Sequence, residues 1–74
     1  MSEKLNSIEK QKIIDTLLEQ VMQDNPGLYY APTTDVARKI HEQLQLSMNR
    51  LSIEDQLLMK KVSIREIEII LSLN

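Results

Sequence analysis

Ile13-Ile14, Leu17-Leu18 and Val21-Met22 are three apolar doublets set four residues apart within the stretch Asn6 to Asp24. At about 100° per residue, six side chains so spaced spread over about half of a helix circumference. An arc that wide exceeds what one neighbouring helix covers. The stretch is therefore expected to be the central helix of a small bundle, with Leu17, Leu18 and Val21 buried. Asn6 is placed to cap it, with Glu9 three residues on to close a capping box and Ser7 as the competing cap. Met1 to Leu5 are polar and are expected to fray.

Asn25-Pro26-Gly27 should stop this helix, because proline lacks the amide and glycine accepts positive φ. Leu28-Tyr29-Tyr30-Ala31-Pro32 then reads as an extended connection, with a short strand as the alternative. Tyr29 and Tyr30 have two readings: they cover the edge of the core, or they dock a partner, protein or nucleic-acid base. Thr33 or Thr34 can cap a second helix, with Asp35 in its first turn. Val36, Ala37, Ile40, Leu44, Ser47, Met48 and Leu51 fall on one face of that helix, expected over Thr34 to Arg50 with Ile40 and Leu44 in the core. Arg38, Lys39, Glu42, Gln45 and Asn49 form the opposite face. Leu46 stands among them, out of phase, and is a candidate for a contact outside the monomer core.

Ser52 is a further cap, opening a short, poorly amphipathic helix from Ile53 to Lys61. Ser63 with Glu66 makes a capping box for a last segment, Ile64 to Leu73. As a helix it gathers Ile64, Ile67, Ile70 and Leu71 on one face and points Ile69 away. As a strand it alternates Ile67, Ile69, Leu71 and Leu73 with polar residues. The capping box favours the helix. The motifs SIEKQKII and SIEDQLLM share four of eight positions, which is repeated capping chemistry rather than a structural repeat. The expected fold is one all-α domain over residues 1–74, a three- to four-helix bundle.

With 74 residues, a single core is marginal without disulfides, a metal or oligomerisation. There is no cysteine and one histidine, which removes disulfides and thiolate zinc sites and leaves self-association as the common remedy. The formal charge is −2 with acids and bases interspersed, so no like-charged tail is indicated. No apolar run approaches the roughly 20 residues of a membrane helix. The first ten residues lack the apolar stretch of a signal peptide. These features read as a cytoplasmic protein.

Chemistry is sparse. His41, flanked by Glu42, is the one group that ordinarily titrates near neutral pH, and it reads as a boundary side chain. The serines are explained as caps. Asp15 with Glu19, and Glu54 with Asp55, are acid pairs on solvated faces. The single glycine excludes a phosphate-cradling loop. The expectation is no catalytic, metal or cofactor site. Thr34 to Ile40 is similar to the opening of a helix-turn-helix, with Ala37 where two helices would cross. No glycine turn follows, and the net charge is negative, which disfavours phosphate binding.

The succession of a long helix, a loop, the capped helix TTDVARKIHEQL and the apolar tail IREIEIILSL resembles the layout of small enterobacterial regulators of biofilm formation and acid resistance. The resemblance spans roughly residues 8 to 73 and lies in length, order and apolar spacing. It implies a short, helical, dimeric protein linked to two-component signalling; it carries over no functional residue, and the Tyr-Pro loop departs from it. The resulting expectation is a non-enzymatic regulator or adaptor. It would bind another protein and form a homodimer, with small helix-turn-helix-like DNA-binding regulation as the alternative. The candidate interface is Leu46, Ile67, Ile69, Leu71 and Leu73, and the candidate partner-docking pair is Tyr29 and Tyr30.

Overall fold

The computed structural model describes the backbone of residues 2–73 and the side chains of residues 7–73. Four α-helices follow one another: α1 Ser2–Asp24, α2 Thr33–Ser47, α3 Ile53–Met59 and α4 Ile64–Ser72. Two 3-10 turns, Pro26–Tyr30 and Met48–Arg50, flank α2. The chain is all-α, and the last segment is a helix rather than a strand.

The core is one cluster: Ile14, Leu17 and Val21 from α1, Val36, Ala37, Ile40 and Leu44 from α2, Met59 and Val62, and Ile67 and Ile70 from α4. The organising helix is α2, not α1. It packs most extensively against α4 and next against α1. Small Ala37, fully buried, lets a neighbour approach closely beside Ile40 and Leu44.

The doublets of α1 divide as their geometry demands. Ile14, Leu17 and Val21 are buried, while Ile13, Leu18 and Met22 are half-buried flanks packed against the cluster. Leu18 is thus a rim residue, not the core residue expected. Along its length α1 meets α2, the first 3-10 turn, α3 and α4. The chain's own elements therefore cover the middle of its arc and leave Ile13, Leu18 and Met22 half-buried at the edges.

Several boundaries differ from the sequence expectation. α1 already begins at Ser2, so Asn6 lies inside the helix and is not its cap. Pro26 to Tyr30 form a 3-10 turn instead of an extended connection, with Pro26 at its first position, where no amide is needed. Gly27 has negative φ within that turn. The stop is made by Pro26, and by Asn25, whose amide and side-chain Nδ2 both donate to the Val21 carbonyl. Neither Thr33 nor Thr34 caps α2. Pro32 holds the cap position without a side-chain bond. Thr34 Oγ1 donates instead to Glu68 Oε1 at 2.7 Å, tying the start of α2 to α4. α2 ends at Ser47, and its apolar face carries on through the second 3-10 turn to half-buried Leu51.

Both late serines cap through their hydroxyls, while the Glu66 side chain expected to close a box at Ser63 is paired with Lys10. Ser52 Oγ accepts from the Asp55 amide and Ser63 Oγ from the Glu66 amide, both at 3.1 Å. The Glu66 carboxylate meets Lys10 Nζ of α1 at 3.0 Å.

Candidate interaction surfaces

The same periodicity that fills the core leaves some large apolar side chains outside it. On α3, Met59 and Leu58 turn inward, so Ile53 and Leu57, one turn apart, face solvent. They are 75% and 67% exposed, so most of each side chain faces water. With Met48, Gln45, Gln56 and Lys60 they line a groove of about 390 Å³ between the end of α2 and α3. No carboxylate lines it. Leu46 lies next to Gln45 in sequence and is exposed, as its out-of-phase position requires.

A second groove, about 280 Å³, runs between α1 and α4. Ile8, Ile69 and Leu73 supply its apolar wall, and the Lys10–Glu66 ion pair lies along it. Ile69 and Leu73 are again one turn apart and exposed. A shallow depression on the outer side of α4 is bordered by Arg65, Glu68, Ile69 and Ser72.

Of the five candidate interface residues, the structure keeps Leu46, Ile69 and Leu73 at the surface. Ile67 is fully buried and Leu71 packs partly buried against the core. Both belong to the inward face of α4, because a helix separates residues 67 and 69 where a strand would align them. The structure adds Ile53, Leu57 and Ile8, which sequence reasoning missed. The signal for the first two was present in the poor amphipathicity of Ile53 to Lys61: a short helix with apolar residues all round must leave some uncovered.

Tyr29 and Tyr30 are 78% and 94% exposed, so neither covers the core; the residue of that turn that packs inward is Leu28. Tyr29 borders a depression with Leu18, Glu19 and Met22. His41 is half-buried on the flank of α2. Among the described residues, no group of three or more His, Asp or Glu side chains could hold a metal ion, and no helix is long and apolar enough to cross a membrane.

α2 runs on to Ser47 without the break a helix-turn-helix at Thr34 would need. The four-residue link Lys60 to Ser63 between α3 and α4 has the length such a motif uses. The outer face of α4, which would then read a groove, presents Arg65 beside Glu68 and Ile69. Compared with family models, curated proteins and solved structures, the chain has no significant match.

Proposed function

We propose that the protein is a non-enzymatic regulator or adaptor that acts by protein–protein interaction and works as a homodimer. The observation that carries this reading is the pair of apolar grooves, walled by Ile53 and Leu57 on one side and by Ile8, Ile69 and Leu73 on the other. Contiguous exposed apolar surface marks an interaction site, and a two-fold pairing of copies is the commonest way to cover it. The resemblance of the element order to small dimeric regulators is in keeping with that reading. Tyr29 and Tyr30 stand on a turn outside both grooves, where they serve to dock a further protein. Sedimentation equilibrium at micromolar concentration tests the dimer: a single species at 8.6 kDa ends it.

Direct DNA binding is the second reading, favoured by the short α3–α4 link and by exposed Lys60, Lys61 and Arg65 around it. A mobility shift that weakens steeply with salt would support it.

A further inference from the structure

We infer that the depression beside Tyr29 receives a basic segment of another protein. An arginine or lysine side chain of that segment lies across Leu18 and Met22, with its charge between the Tyr29 ring and Glu19. The inference rests on the docking role proposed above for the tyrosines and names the chemistry of what they dock.

The site is an uncovered edge of the core. Asp15, Leu18, Glu19 and Met22 are residues i, i+3, i+4 and i+7, so they share one face of α1. The chain's own elements leave Leu18 and Met22 half-buried there. Among the described residues, these two line a depression of about 420 Å³ together with Tyr29 and Glu19. Tyr30 adds a second exposed ring next in sequence. An occupant must bring apolar surface to cover Leu18 and Met22.

Charge selects that occupant. The stretch from Ile13 to Ala37 holds Asp15, Glu19, Asp24 and Asp35 and no lysine, arginine or histidine. Elsewhere nine bases stand against seven acids, so the negative charge of the chain is gathered at this end of α1. Among the described residues, no ion pair occupies any of the four carboxylates. The last turn of α1 carries no base either, which leaves the negative end of its macrodipole, about half a charge, unopposed. The face of an aromatic ring also attracts cations. An arginine or lysine side chain meets all of these at once, because its alkyl stem covers apolar surface while its charged head stays at the rim. The same field repels a phosphate backbone, which disfavours a nucleic-acid base as the group stacked on the tyrosines.

The test follows the amide chemical shifts of the full-length chain by nuclear magnetic resonance while a short peptide of alternating arginine and alanine is added at low salt. A saturable shift centred on Leu18, Glu19, Met22 and Tyr29 is expected. Matched peptides with glutamine or glutamate in place of arginine should not produce it. Glu19→Gln and Tyr29→Leu should each weaken binding about two- to fivefold, and together about tenfold. Both side chains are exposed, so the helical circular dichroism of the parent should be retained. Glu9→Gln, on the same helix about 15 Å away, should leave binding unchanged. If the glutamine peptide binds the same residues as tightly as the arginine peptide, the basic partner is ruled out and the docking role of the tyrosines stands. If Glu9→Gln weakens binding as much as Glu19→Gln, the attraction is diffuse and the inference falls. Shifts at Tyr29 that grow with protein concentration in the absence of peptide would mean that a second copy covers the depression, and would overturn it. No shift at Tyr29 or Tyr30 with any of the peptides overturns both the inference and the docking role.

Discussion

Ile40→Ala is the sharpest test of how the fold is held. Ile40 is fully buried in the middle of α2, the helix against which α4 and α1 both pack. Removing three side-chain carbons from a site walled by other elements leaves a cavity that cannot fill from solvent. Substitutions of this kind cost about 2–5 kcal/mol, and a site closed on all sides belongs in the upper half, about 3–5 kcal/mol. A domain of 74 residues has a stability on the order of 4–11 kcal/mol in total. One substitution therefore removes about a quarter of it or more. The assay is urea unfolding followed by circular dichroism, at fixed protein concentration because self-association adds to apparent stability. With a slope on the order of 1 kcal/mol per molar urea, the midpoint should fall by about 3–5 M or the chain should fail to fold. Leu18→Ala, on the half-buried rim of α1, should cost less, about 1–2 kcal/mol, because part of the side chain is already in water. The assignment of α2 as the hub is refuted if Ile40→Ala keeps the parent midpoint, or if Leu18→Ala is the more damaging of the two.

Gly27→Ala should be neutral or stabilise by up to about 1 kcal/mol in the same assay, since Gly27 has negative φ and an added Cβ meets nothing within 4 Å; a loss above that size would mean the turn differs from the 3-10 form. Ser63→Ala should cost about 1 kcal/mol by freeing the Glu66 amide that Ser63 Oγ now satisfies, and Ser63→Asp should recover most of it. The Lys10–Glu66 pair, with both side chains partly open to water, should show a coupling below about 1 kcal/mol in a double-mutant cycle, and less at high salt.

Periodicity made much of the core legible in the sequence. The face of α2 through Val36, Ala37, Ile40 and Leu44 follows from 3.6-residue spacing alone; on α4 the same spacing turns Ile67 and Ile70 inward and Ile69 outward only once the segment is a helix, and the interface expectation for Ile67 and Leu71 fails with the strand. The caps at Ser52 and Ser63 were legible as well, because a hydroxyl three residues ahead of an acid is a local signal that tertiary contacts rarely override. What failed was the reading of positions decided by tertiary context. Leu18 lies at the end of the arc, and only the placement of its neighbours settles whether an arc end is core or rim. Gly27 was read as a left-handed stop, but Pro26 at the start of a 3-10 turn already ends α1 without one. Of the two readings of Tyr29 and Tyr30, cover for the core edge falls, because Leu28 fills that place. At the surface, Leu46 was legible as an out-of-phase residue on a long helix. Ile53 and Leu57 were not, because a helix as short as α3 has too few turns for its apolar pattern to define an inward face.

The claim at the centre of this account is that the apolar ridges left open on one copy are covered by another. The direct measurement is an isotope-filtered nuclear Overhauser experiment on dimers mixed from labelled and unlabelled chains. Intermolecular contacts to the methyl groups of Ile53, Leu57, Ile69 or Leu73, the side chains left exposed on one copy, are the expected result. Intermolecular contacts that spare all four side chains, at a concentration where the dimer is populated, would contradict it.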